Sequence, residues 1–238
     1  MIKAGSPSAP PRSSDLKFGV VRFPGSCDEV DALVAARRVG EAELLWHADA
    51  DLRGVDAVII PGGFSYGDYL RVGAIARFSP VMGAVEEFAR SGGPVLGICN
   101  GFQVLCEAGL LPGALLPNIS LRFLCRQVAI DVINHDTPWT RAVEPGAKPL
   151  SIPVKHTTGR WYAPDDLLER VEANGQVVFR YHAGHNPNGS IGDVAGVSNE
   201  QGNVVGLMPH PEHAVNPLSG STDGGLLFES ADRVLAPA

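Results

Sequence analysis

Two short stretches of the 238-residue sequence carry chemically capable residues at useful spacings: Gly97-Ile98-Cys99-Asn100-Gly101 and His210-Pro211-Glu212. The first lies between an apolar run, Pro94-Val95-Leu96, and a helix-like stretch over residues 102–108. A cysteine at such a strand-to-helix turn reads as a nucleophile on an elbow, with glycines two before and two after giving the neighbouring backbone room to pass. Its sulfur would face the positive end of the following helix, where unpaired N–H groups and the macrodipole favour thiolate over thiol. A thiolate there is poised to attack a carbonyl. Taken alone, the motif also fits a buried structural cysteine at a Gly-rich turn.

The second stretch follows the apolar run Val204-Val205-Gly206-Leu207. Residues i and i+2 of an extended segment project to the same side, and Pro211 removes conformational alternatives, so His210 and Glu212 can lie together. A carboxylate beside an imidazole fixes its tautomer and stabilises the imidazolium, the third role in a nucleophile, base and orienter triad. Cys99, His210 and Glu212 are the candidate members. A third element is the loop Pro61-Gly62-Gly63-Phe64-Ser65-Tyr66-Gly67-Asp68. If it faces Cys99, the Gly63 N–H joins that of Asn100 in holding the oxyanion of a tetrahedral intermediate. Glycine tolerates both peptide orientations, so a flip at Gly62-Gly63 is a candidate lever for activation by a partner. A phosphate cradle fits less well, since the loop has no lysine and the chain no Gly-x-x-x-x-Gly-Lys-Ser/Thr.

Positioning these groups requires strands that end at one edge. Residues 17–23 read as a strand, 29–39 as a helix stopped by Gly40, and 43–46 as a second strand. The continuous apolar run 56–60 suits a strand buried on both faces of a parallel sheet, and a helix over about 80–90 feeds the strand that delivers Cys99. Strand-like segments follow at 122–133, 150–154, 176–181, 194–198 and 204–207, then a final helix at 224–235. The expected fold is α/β: a single domain over residues 15–238 with a doubly wound, mostly parallel sheet flanked by helices and an additional antiparallel β segment. Ligands in such sheets gather at the carboxyl ends of the strands.

Composition narrows the partners. Lys+Arg 19 against Asp+Glu 26 gives a formal charge of -7, with no basic run of the kind a nucleic-acid groove or anionic membrane requires. No apolar stretch approaches the roughly 20 residues of a membrane helix. Residues 1–14, rich in Ser, Pro and Ala, lack a hydrophobic signal region and read as a disordered tail. The expected location is the cytoplasm. Cys27, Cys99, Cys106 and Cys125 form no Cys-x-x-Cys pair and are expected to be reduced thiols, with Cys106 a small core residue. The spacings His182/His185 and His210/His213 suggest metal, but neither has the four N/S ligands of a structural zinc site, and no metal is expected. His47, His135 and His156 are lone and read as ordinary core or surface residues.

Four stretches together carry a family resemblance: residues 61–71, residues 97–103 (Gly-Ile-Cys-Asn-Gly-Phe-Gln), Asn186-Pro187-Asn188-Gly189-Ser190, and residues 206–212. In that order the chain resembles the triad (class I) glutamine amidotransferases, and among them the glutaminase subunits of phosphoribosylformylglycinamidine synthase, from about Lys17 to the C-terminal helix. The resemblance implies that Cys99 attacks the side-chain amide of glutamine, that His210 protonates the leaving amine and then activates water, and that Glu212 holds His210. It places Gln103 against the bound glutamine, and Asn118, Ser120, Arg122 and Phe123 as further contacts through the family pattern Asn-x-Ser-x-Arg-Phe. Gly62 and Phe64 are expected to line the same site. The implied partner is an ATP-dependent synthetase subunit, with ATP and Mg bound there, no cofactor in this chain and possible company from a small accessory subunit. The chain lacks the Asn that family members often carry between Ser26 and Cys27, and has His156-Thr157-Thr158-Gly159 where His-Gly-Glu-Gly is common. The second departure is expected to touch partner-facing or regulatory contacts. Alternative readings are a catalytically idle scaffold of that assembly and an unrelated cysteine-elbow hydrolase.

Overall fold

The computed structural model describes residues 16–235, so the expected 1–14 tail lies outside the described residues. The first half alternates strand and helix: β1 (Lys17–Arg22), α1 (Glu29–Ala36), β2 (Glu41–Trp46), β3 (Ala57–Ile60), α2 (Pro80–Arg90), β4 (Val95–Ile98) and α3 (Asn100–Glu107). The second half holds β5 (Ala114–Leu116), β6 (Leu124–Val132), β7 (Leu150–His156), β8 (Arg160–Tyr162), α4 (Asp165–Ala173), β9 (Val177–Tyr181), β10 (Val194–Ser198), β11 (Val204–Leu207) and α5 (Gly225–Leu235). The four-residue apolar strands β3, β4 and β11 are buried along their whole length, as strands covered on both faces must be.

Nine strands form one sheet in the order β2-β1-β3-β4-β11-β10-β9-β6-β7. β2, β1, β3, β4 and β11 pair in parallel. β10, β9, β6 and β7 continue the sheet antiparallel, so the antiparallel segment supplies four of the nine strands. β5 and β8 make a separate two-stranded sheet. α1 packs on β1 and β2 and meets α5, while α3 lies across β3, β4 and β11. Phe18, Ile59, Leu96, Phe102, Phe179 and Phe228 are fully buried in the resulting core.

Register and curvature create the site. Leu207 pairs with Ile98, which brings the chain leaving β11 level with Cys99 at the carboxyl edge of the parallel strands. The Cys99 N–H donates to the Leu207 carbonyl at 2.8 Å. β7 is the last strand in sheet order, yet the His210 N–H donates to its Pro153 carbonyl at 2.8 Å and its Lys155 carbonyl lies 3.9 Å from the Cys99 sulfur. The antiparallel half therefore curls back over the carboxyl edge of the parallel half.

α3 starts directly after Cys99 and presses on the end of β3. A Cβ on Gly101 would overlap the Ile60 carbonyl oxygen and lie 2.7 Å from the Ile60 carbonyl carbon. Backbone on both sides cannot move aside, so Gly101→Ala is expected to destabilise the fold by at least the ~1–3 kcal/mol typical of overpacking. Thermal unfolding checks this; an unchanged Tm would contradict the packing account.

Candidate active site

Cys99 occupies the turn between β4 and α3 with φ 50° and ψ −100°, a left-handed conformation that L-residues avoid. It is buried, and its position before the first residue of α3 sets the sulfur beside unpaired helix N–H groups. His210 and Glu212 follow β11 in an irregular stretch, with Glu212 in the short 3-10 turn Pro211–His213. His210 Nδ1 meets Glu212 Oε1 at 2.6 Å, and both side chains are buried. His210 Nε2 is buried with no nitrogen or oxygen partner. The Cys99 sulfur lies close enough to the ring to favour its charged form, although no formed hydrogen bond joins it to Nε2. Burial opposes charge on the ring, but the Glu212 carboxylate and Cys99 outweigh it and push His210 up to about 10. An imidazolium beside the sulfur is the arrangement that supports a thiolate nucleophile.

The Gly-rich loop does face Cys99. Ser26 and Gly63 form an isolated antiparallel bridge, flanked by bonds from Phe64 N–H to the Gly25 carbonyl (2.9 Å) and from Cys27 N–H to the Gly62 carbonyl (3.3 Å). In such a pair the bridged residue turns its own N–H away from its partner strand. Gly63 lines the same pocket as Cys99, so its free N–H can serve an oxyanion together with the amide of Asn100. The Asp28 N–H also reaches the Gly62 carbonyl at 3.3 Å, and a flip of the Gly62-Gly63 peptide would have to break both bonds.

Cys27, Asp28, Gly63, Phe64, Asp68, Val72, Cys99, Gln103, Phe123, residues 155–158 and His210 surround a cavity of about 310 Å³. That size suits a ligand as small as an amino acid. Asn100 organises one wall: its Oδ1 accepts from the Ser65 N–H at 3.1 Å and its Nδ2 donates to Gln103 Oε1 at 2.9 Å. Gln103 Nε2 in turn donates to the Thr158 carbonyl at 2.5 Å. Thr157 and Thr158 thus belong to the pocket wall. Arg71 grips Glu107 through both Nε and Nη2, tying the loop to α3.

The remaining predicted contacts are divided. Phe123 lines the cavity, whereas Ser120 and Arg122 lie exposed and outside its lining. Asn118 is buried, with Oδ1 accepting from the Gly159 N–H and Nδ2 donating to the His156 and Arg122 carbonyls, so it shapes the wall from behind. Gly62 sits between Asp28 and His210, where a Cβ would overlap Asp28 Oδ2. Among the residues that the sequence reading did not place in the site, Asp28, Lys155, His156 and His213 belong to its surroundings. His156, read as an ordinary lone histidine, is buried in the pocket wall and pushed down to about 4 by burial and the nearby His210 charge. Its place at the inward end of the alternating β7 pattern was the available signal. Ligand-type atoms of Asp28, His210, Glu212 and His213 converge within 4.8 Å of one another. The Lys155 ammonium already occupies Asp28 Oδ1, and Glu212 Oε1 is taken by His210, which makes the group a hydrogen-bonded charge network. Elsewhere, His182 is engaged by Asp131 at 3.0 Å, and the four cysteines are free thiols.

Residues 15–225 match the CobB/CobQ-like glutamine amidotransferase domain family. The sequence is 61% identical over 223 residues to phosphoribosylformylglycinamidine synthase subunit PurQ of Mycolicibacterium paratuberculosis, covering 92% of this chain and 98% of that one. It is 62% identical over 210 residues to the corresponding PurQ of Rubrobacter xylanophilus, covering 88% and 94%. Among solved structures, PurLQS from Thermotoga maritima contains a chain that superposes with a TM-score of 0.85 at 43% identity, covering 93% of this chain and 99% of that one.

Backbone strain of ~1–3 kcal/mol at Cys99 is relieved by glycine and retained by alanine. Cys99→Gly is therefore expected to melt higher than Cys99→Ala; the reverse order would show that the turn is unstrained. Burial, opposed by the Asn100 amide, pushes Asp68 up to about 6. Its folded-state value lies above the ~3.9 of an unfolded chain, so ionising it removes stability as pH rises through that interval. Asp68→Asn should raise Tm at neutral pH and have little effect near pH ~4. Melting curves at the two pH values check this, and an equal change at both would contradict it.

Proposed function

Because the chain belongs to the CobB/CobQ-like glutamine amidotransferase family, we propose that it is the glutaminase subunit of phosphoribosylformylglycinamidine synthase. It hydrolyses glutamine to glutamate and ammonia and supplies the ammonia to a partner synthetase, which uses ATP to convert formylglycinamide ribonucleotide into formylglycinamidine ribonucleotide in purine biosynthesis. The observation that carries the reading is the buried meeting of the Cys99 elbow with the His210–Glu212 pair at one end of a cavity of amino-acid size.

In this proposal Cys99 Sγ attacks the side-chain carbonyl carbon of glutamine. The oxygen becomes an oxyanion held by the Gly63 and Asn100 amides. His210 gives its proton to the departing nitrogen, the C–N bond breaks, and ammonia leaves with the glutamyl group held as a thioester. Neutral His210 then takes a proton from water, the resulting hydroxide adds to the thioester carbon, and collapse releases glutamate and the thiolate. Glu212 orients the ring and offsets its charge through both halves. Gln103 acts as a wall element that fixes Thr158, and Phe64 and Phe123 close the apolar side. ATP and Mg act on the synthetase, this chain carries no cofactor or metal, residues 15–238 work as one amidotransferase domain, and the complex is cytoplasmic with room for a small accessory subunit. No helix among the described residues is long and apolar enough to cross a membrane.

Reconstitution with the synthetase tests the assignment. Cys99→Ala is expected to abolish amidine formation from glutamine, a loss of at least ~10²-fold as for removal of a nucleophile, while formation from added ammonium salt persists. If glutamine-dependent synthesis survives, the chain is a scaffold; if an ester or peptide is cleaved faster than glutamine, it is another hydrolase.

A further inference from the structure

Asp28 stands immediately before α1, at a helix N-cap, where an aspartate ordinarily accepts a hydrogen bond from the first-turn N–H groups. Its carboxylate makes no such bond. It is instead buried and turned toward the triad. Oδ2 lies 3.7 Å from His210 Nδ1, while Oδ1 takes the His213 Nε2 at 3.2 Å and the Lys155 ammonium. The glycine at 62 is what permits this approach, because a Cβ there would overlap Asp28 Oδ2 and lie 2.6 Å from His210 Cε1. The backbone of the same residue holds the oxyanion loop, through the Asp28 N–H on the Gly62 carbonyl.

We propose that Asp28 is a positioning residue of the glutaminase reaction: a second carboxylate that, clamped by Lys155 and His213, steadies the His210 imidazolium and fixes it relative to the oxyanion loop. The inference rests on the triad reading above and adds to it. A lone Glu212 contact leaves the ring free to rock about one hydrogen bond; a second negative group near the same edge narrows that motion and favours the protonated ring. Burial alone would raise the Asp28 carboxyl, but the His213 hydrogen bond, the His210 charge and the Lys155 ammonium hold it well below the usual carboxylate range. It therefore remains anionic wherever the enzyme works. The groups facing His210 are Glu212, His213, Asp28, His156 and Cys99, the Lys155 ammonium stands on Asp28, and those facing His213 include Asp31 at 4.0 Å. Removing the Asp28 charge leaves fewer anions beside the ring and lowers the pH at which His210 loses its proton.

The test uses Asp28→Asn in the full complex with synthetase, beside the parent protein. The expected result is a fall in glutamine-dependent kcat of up to about a hundredfold, the cost of a misplaced catalytic group, with the KM for glutamine little changed. The alkaline limb of the pH profile should move to lower pH, and ammonia-dependent synthesis should stay at the parent level. A fold defect would lower both syntheses together and leave the limb in place. Should Asp28→Asn not fold, His213→Ala removes one clamp from a partly exposed position and is expected to lower kcat by less, with no move of the limb to lower pH because the Asp28 charge remains. Parent-like kcat and pH limb in the variant that folds would overturn the proposal, as would a change confined to KM. If the parent complex itself makes no product from glutamine, the triad reading fails first, which separates the two.

Discussion

The site hangs on one backbone constraint, the left-handed turn at Cys99. The conformation with φ 50° lets β4 run directly into α3 so that the sulfur stands at the helix start, at the carboxyl edge of the sheet. That turn is tolerable because its surroundings over-determine it. The Cys99 N–H is tied to β11, Gly101 rests on the β3 backbone, and α3 lies over β3, β4 and β11 at once. Strain that persists in a well-packed turn signals a use for the geometry, and here the use is a sulfur presented to a cavity.

Around the sulfur the protein gathers charge in an order that burial alone would forbid. Two carboxylates, Asp28 and Glu212, share a small volume with His210, His213 and the Lys155 ammonium. Each anion has a cationic or hydrogen-bonding partner, which is the condition for keeping charge in a low-dielectric interior. The same partners arrive from distant parts of the chain: Asp28 from the start of α1, Lys155 from β7, and His210 with Glu212 from the end of β11. Folding of both halves of the sheet is therefore a precondition for the network, and the curl that returns β7 to the parallel edge serves this convergence.

Much of this was legible in the sequence because it depends on local signals. Continuous apolar runs marked β3, β4 and β11, and the Gly-x-Cys-x-Gly spacing marked the elbow. α2 and β10 begin and end where periodicity places them. The helix read over 29–39 ends earlier, at Ala36, and finishes in turns before Gly40. α4 escaped notice although Pro164 and two aspartates open it, because only Val171 is fully buried and the apolar stripe is thin. The short β5–β8 sheet has three residues per strand, too few for a pattern to emerge.

What the sequence could not reveal depends on long-range return of the chain. Asp28 before a helix reads as an N-cap, and nothing local says that its carboxylate will turn inward. Lys155 and His156 alternate across β7, but only the curl of the sheet puts both in the pocket wall. Asn118 shows the converse: its motif suggested ligand contact, whereas its hydrogen-bonding capacity is taken by the wall itself. The central claim is that the elbow sulfur is the nucleophile of a glutamine site, and intact mass with peptide mapping after exposure to a diazo-ketone glutamine analogue tests it most directly. The account predicts a single adduct on Cys99, suppressed by glutamine, in the chain assembled with its synthetase. An assembled complex that stays unlabelled at Cys99, or is labelled there regardless of glutamine, would contradict it.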